Sequence, residues 1–126
     1  MRFVWIAAGG GLGAVLRFLL SGFVQRMSND VFPIGTLTVN VTGCLVIGFL
    51  GALFAGPAFV RDEWRYFLLV GLLGGFTTFS TFGYETLALA DGGEWARVGA
   101  NLVLSNGLGL LAVWIGYRMA GVLQGG

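Results

Sequence analysis

Residues 71–83 read Gly-Leu-Leu-Gly-Gly-Phe-Thr-Thr-Phe-Ser-Thr-Phe-Gly. The hydroxyls of Thr77, Thr78, Ser80 and Thr81 alternate with the rings of Phe76, Phe79 and Phe82. A hydroxyl is a neutral donor, and a phenyl ring carries a positive edge around a negative face. Neutral donors and ring edges together suit a small anion that must bind and then leave. Fixed arginines along the path would hold it too tightly. The i, i+3, i+6 spacing of the phenylalanines also fits one helix face used for plain packing, and that reading stands beside the first.

Other polar groups sit in separate apolar runs. Thr36, Asn40 and Cys44 fall at i, i+4 and i+8, so they share a stripe if the run is helical. The Asn40 amide brings donors and an acceptor into that run; it either points into a polar path or makes an interhelical bond that holds an oligomer. Thr38 and Thr42 can bond back to their own backbone and say less. Arg97, Asn101 and Ser105 repeat the spacing near the C-terminus, with Asn106 beside them. Arg17, flanked by Leu16 and Phe18, either snorkels to headgroups or faces an aqueous vestibule. Glu85 is the one acid within a long apolar segment, two turns past the hydroxyl-rich stretch. Proton-coupled transport needs a carboxylate or histidine at mid-depth, and none is present there.

The elements that must position these groups follow from composition. The chain has 126 residues, 56% hydrophobic and 10% charged, with a mean hydropathy of +0.85. A soluble domain of this size has too little interior for so much apolar surface. The expected fold is all-α and integral to a membrane, one domain over residues 1–126. Four transmembrane helices are expected at about 3–23, 34–55, 66–90 and 95–122. The third is expected to break in mid-membrane at the hydroxyl-rich stretch. In hydrocarbon such a break is tolerated only where protein or a water-filled path surrounds it. The first segment reads as a retained helix, because its apolar run continues to spanning length past any cleavage site.

Several functions are excluded. There is no histidine, Cys44 is the single cysteine, and no metal-ligand spacing occurs. A net charge of +1 without charge runs gives no sign of nucleic-acid binding. Gly9-Gly10-Gly11-Leu12-Gly13-Ala14 matches a dinucleotide fingerprint, but no strand–helix alternation follows it. Gly9 and Gly13 fit a helix-packing face instead, as do many of the 23 glycines. No nucleotide-binding loop is found. Arg2, Arg61, Arg65 and Arg118 fall on one side of the four spans, and Arg26 and Arg97, with Arg17 near them, on the other. So even a balance gives little positive-inside bias and favours insertion in both orientations, against a single orientation set by the first loops.

Three strings carry a family resemblance: Gly35-Thr36-Leu37-Thr38-Val39-Asn40-Val41-Thr42-Gly43, Gly74-Gly75-Phe76-Thr77-Thr78-Phe79-Ser80-Thr81-Phe82, and Gly10-Gly11-Leu12-Gly13-Ala14-Val15-Leu16-Arg17. In motif order and four-helix layout the chain resembles the CrcB/Fluc fluoride channels. The resemblance implies an antiparallel dual-topology homodimer with two fluoride pathways, multi-pass in the inner (plasma) membrane of a prokaryote. It implies that Asn40, Thr36, Phe79, Phe82 and Ser105 serve fluoride, with Ser80 and Thr81 on the same pathway, and that Arg17 faces a vestibule. A structural sodium ion would be held at the dimer centre by backbone carbonyls of Gly74 and Thr77 from each subunit. Function would be passive fluoride exit giving fluoride resistance, with no enzyme activity. A membrane potential of about 100 mV is worth about 2.3 kcal/mol per charge, sufficient without ATP. A small dual-topology drug/proton antiporter shares this size and layout but needs a glutamate midway along its first helix. A non-transporting assembly subunit would use the polar stripes for helix pairing alone.

Overall fold

The computed structural model describes residues 1–56 and 60–125; the linker proline Pro57 lies outside them. Regular structure among the described residues is entirely helical: α1 (Arg2–Arg26), α2 (Ile34–Ala55), α3 (Asp62–Trp64), a π-helix (Arg65–Leu72), α4 (Leu73–Phe76), α5 (Phe79–Asp91) and α6 (Trp95–Leu123). Four stretches are long and apolar enough to cross a membrane: Arg2–Arg26, Ile34–Ala55, Asp62–Asp91 and Trp95–Leu123. The third starts four residues before the expected 66. Asp62 and Glu63 occupy its first turn, where acidic side chains favour the positive end of the helix dipole.

The helices turn large apolar side chains outward, among them Phe18, Leu110 and Tyr117. Their small residues face inward. A Cβ on Gly48 would collide with the Val113 carbonyl and one on Gly116 with the Leu45 carbonyl, so α2 and α6 approach backbone to backbone. The same holds for α1: a Cβ on Gly9 would strike the Phe67 carbonyl, and one on Gly13 the Leu72 carbonyl. Without a hydrophobic force between helices in lipid, this close approach supplies the dispersion energy that holds them. Gly9–Gly13 lies within continuous α1, and no strand precedes it. The glycine cluster is thus a packing face.

The main departure from expectation is the π-helix. The third helix is expected to run from about 66 as part of an all-α fold, and Arg65–Leu72 winds instead with i→i+5 spacing over eight residues. π-Helices are rare and mostly single-turn. This one carries the main-chain atoms of Phe67 and Leu72 that meet Gly9 and Gly13 of α1. Composition and spacing carry no signal for it.

Side chains from neighbouring elements cap the helix ends. Pro33 precedes α2 and makes no side-chain cap. Gln25 of α1 does that work: its Oε1 accepts from the Gly35 N–H at 3.0 Å, and its Nε2 donates to the Phe32 carbonyl at 3.1 Å. At the far end of α2, Arg65 donates to the Phe54 carbonyl at 2.6 Å and Gln124 to the Leu53 carbonyl at 3.2 Å. Arg97, in the first turn of α6, binds both Asp30 oxygens at 2.7 and 2.8 Å and reaches Glu94 at 2.5 Å. Helix ends leave four unpaired main-chain groups each, and at both ends of α2 these side chains satisfy some of them.

Candidate functional site

The polar stretch departs from helix at two residues. α4 ends at Phe76, Thr77 (φ −95°, ψ 149°) and Thr78 (φ −148°, ψ 126°) are extended, and α5 begins at Phe79. The Thr77 N–H and hydroxyl both still donate to the Leu73 carbonyl, each at 3.1 Å. Thr78 caps α5 with its hydroxyl, which accepts from the Thr81 N–H at 3.4 Å and pairs with the Ser80 hydroxyl at 3.0 Å. The Thr78 main chain, left outside both helices, is met by Asn40. Asn40 Oδ1 accepts from the Thr78 N–H at 3.2 Å, and Nδ2 lies 3.4 Å from the Thr78 carbonyl, to which it donates. That uses one of the two amide hydrogens and leaves the second to the adjoining cavity.

That cavity, about 360 Å³, is lined by Asn40, Thr77, Thr78, Phe79, Phe82 and Ser105, together with Cys44 and residues of α2, α4 and α6. The Phe79 and Phe82 rings stand 5.4 Å apart between centroids and are tilted by 44°. Phe82 is buried, whereas Phe79 is 79% exposed and projects from the helices. Ser105 reaches the cavity from α6, where its hydroxyl bonds Asn101.

A second, small cavity of about 20 Å³ is lined by Arg17, Ser21, Thr36, Val39, Thr78 and Thr81. It has room for about one water, and its lining offers several polar partners. A third, of about 650 Å³, opens beyond it and includes Arg17, Ser21, Gln25, Glu85 and Glu94. Arg17 and Ser21 belong to the large and small cavities, and Thr78 belongs to the small one and the phenylalanine-lined one. The small cavity therefore adjoins both of the others. Arg17, between the large and small cavities, is held by its Nε, which donates to the Gly75 carbonyl at 3.2 Å.

The structure thus brings together Asn40, Phe79, Phe82 and Ser105 in one cavity, and Thr36, Thr81 and Arg17 in the next. Ser80 is exposed and lines neither; its hydroxyl serves Thr78. Gly74 is exposed and Thr77 half-buried at the end of α4. The helical partner of the Gly74 carbonyl would be the Thr78 N–H, and Asn40 takes that N–H instead. Carbonyls released in this way are oxygen donors of the type a hard cation prefers. Among the described residues no cluster of three or more histidine, cysteine or acidic side chains could hold a metal.

Two participants, Gln25 and Thr86, escaped sequence reasoning, and a third, Glu85, was singled out there without a site role. Glu85 lies beside Thr36 on the wall of the large cavity, and its shielded Oε1 has no hydrogen-bond partner among the described residues. Its i+4 spacing from Thr81 was the available signal. Gln25 shapes the rim by capping α2, a contact ten residues away that no local pattern announces. Thr86 donates to the Phe82 carbonyl at 2.7 Å and accepts from Asn101 at 3.0 Å, tying α5 to α6 behind the phenylalanines.

Comparison with known proteins converges on one family. The family model described as "CrcB-like protein, Camphor Resistance (CrcB)" matches residues 4–117. A curated relative from Opitutus terrae, named fluoride-specific ion channel FluC, is 49% identical over 94% of this chain and 91% of its own length. Relatives of the same name from Desulforapulum autotrophicum and Methylocella silvestris are 47% and 44% identical, covering 98% and 95% of this chain and 95% and 93% of their own lengths.

Proposed function

This chain belongs to the CrcB family, and from that premise we propose that it is a fluoride-selective channel through which fluoride leaves the cytoplasm passively. The observation that carries the reading is the row of three adjoining cavities, the large and small ones sharing Arg17 and the small and phenylalanine-lined ones sharing Thr78. Arg17 places a positive charge where an anion would enter from the wide cavity. Further in, the groups are neutral: the hydroxyls of Thr36, Thr78 and Thr81, then the second Asn40 amide hydrogen and the rims of Phe79 and Phe82. Such groups replace water around a small halide without a charge to trap it. No acid or histidine occurs in α1, α2 or α6 to load a proton, which disfavours a drug/proton antiporter.

Two subunits in antiparallel orientation form the working unit in this reading. Phe79 projects from one subunit, and a second copy would cover it and close the cavity on its open side. A structural sodium ion fits between the two copies, held by the Gly74 and Thr77 carbonyls of each. It would supply fixed positive charge and bind the break of one subunit to that of the other. The protein would reside in the inner membrane of a prokaryote and lower cytoplasmic fluoride, giving fluoride resistance. In a negative-inside cell the potential alone drives the anion out.

Purified protein in vesicles loaded with fluoride, with a potassium ionophore to balance charge, tests the reading. Expected is rapid fluoride release that persists without a pH gradient and does not occur for chloride. Vesicles that retain fluoride, or that release it only across a pH gradient, would refute it.

A further inference from the structure

Asn101 is 1% exposed, and its bonds fix the direction of a proton in the proposed pathway. The Thr86 hydroxyl gives its hydrogen to the Phe82 carbonyl at 2.7 Å. Its oxygen can then only accept, and the donor it meets at 3.0 Å is Asn101 Nδ2. The Asn101 amide is thereby oriented with Oδ1 toward Ser105. An amide oxygen cannot donate, so the Ser105 hydroxyl donates to it, at 3.1 Å. The hydrogen of Ser105 is turned away from the cavity that Ser105 shares with Asn40, Phe79 and Phe82. Its oxygen lone pairs are what remain to face that cavity.

Lone pairs repel an anion. For Ser105 to serve fluoride its hydroxyl must rotate, and rotation strands Asn101 Oδ1, buried, without a donor. Leaving a buried acceptor unpaired carries a definite penalty. We propose that Asn101 is a positioning residue that parks the Ser105 proton and so weakens the anion's hold, keeping passage fast at the cost of affinity. This rests on the fluoride-channel reading. Asn101 itself touches no anion; it acts through Ser105, with Thr86 setting its amide.

The test is the fluoride dependence of flux in reconstituted vesicles for the wild type, Asn101→Ala, Ser105→Ala and the double variant. Asn101→Ala releases the Ser105 hydrogen to the cavity. Its half-saturating fluoride concentration is expected to fall about fivefold, equivalent to about 1 kcal/mol, with a lower maximal rate. In the Ser105→Ala background the Asn101 substitution is expected to change neither quantity. A merely structural Asn101 would lower the maximal rate in both backgrounds. That result, or an unchanged half-saturation in Asn101→Ala, overturns the proposal. If Asn101→Ala does not fold, Thr86→Val serves: it removes the acceptor that orients the amide, lets the Asn101 NH₂ group turn to Ser105, and predicts the same Ser105-dependent fall. No such fall in Thr86→Val overturns the proposal equally. A wild type that conducts no fluoride would refute the channel reading itself, and this inference with it; an active wild type with additive variants refutes the inference alone.

Discussion

The side-chain amide of Asn40 pairs with the main chain of Thr78 in both directions, accepting from its N–H at 3.2 Å and donating to its carbonyl at 3.4 Å. One side chain on α2 thus does what helical neighbours would have done for a residue that has left the helix. The pairing releases the Gly74 carbonyl from its usual partner and leaves one amide hydrogen at the cavity wall. Backbone conformation, the proposed cation site and the proposed anion donor all meet at this contact.

Two substitutions at Asn40 separate these roles. Asn40→Asp keeps an oxygen for the Thr78 N–H but removes the donor and adds charge. It is expected to abolish fluoride flux while the protein still elutes as the wild type does. Asn40→Ala loses both bonds at about 0.5–1.5 kcal/mol each, so flux falls at least about tenfold and melting also drops. Normal flux in either variant would contradict the donor role.

The two rings are predicted to differ. Phe79→Ile removes a ring that is 79% exposed in the subunit, so flux should fall with little loss of subunit stability. Phe82→Ile alters a buried ring and should cost about 1–3 kcal/mol of stability as well as flux. Thermal melting in detergent beside vesicle flux distinguishes them. Full conduction in both would remove support for the ring edges.

Arg17 combines a fixed position with a fixed charge. Arg17→Met is expected to slow fluoride entry about tenfold at low ionic strength, with the deficit shrinking as salt screens the charge. Arg17→Lys keeps the charge but loses the planar fork that reaches the Gly75 carbonyl, and should recover part of the rate. A salt-independent deficit in Arg17→Met would show that the charge plays no part.

Gly13 tests the fit of α1 to the π-helix. Gly13→Ala would drive a methyl group into the Leu72 carbonyl and should destabilise by about 1–3 kcal/mol. Gly11→Ala, which meets nothing within 4 Å, should be neutral. Equal melting temperatures for the two would contradict the close approach.

Asp30 gives a pH signature outside the spans. The Arg97 guanidinium bound to its carboxylate, helped by the Phe32 N–H, lowers its pKa from the ordinary 3.8 to about 2. A pKa lowered by folding means that the stabilisation is complete above the ordinary value. It is lost as pH falls through the folded one, so the Asp30–Arg97 tie should release between pH about 4 and about 2. Carbon NMR of the Asp30 carboxyl checks this, and a midpoint near 4 would show that the tie does not form.

The sequence by itself determined the class of this protein and most of its vocabulary. Four apolar runs longer than a bilayer requires dictate four helices, because only helices satisfy their own backbone in lipid. The hydroxyl-and-phenylalanine string pointed to the break in the third span, and Asn40, Phe79, Phe82 and Ser105 line one cavity beside it. Tertiary structure decided what each polar group does there. A hydroxyl or amide can donate or accept, and which it does depends on partners far away in the chain. Asn40 faces Thr78 across 38 residues, Arg17 faces Gly75 across 58, and Asn101 takes its orientation from Thr86, 15 residues earlier. The π-helix at residues 65–72 belongs to the same category, since its main chain packs on α1 and no local spacing encodes it.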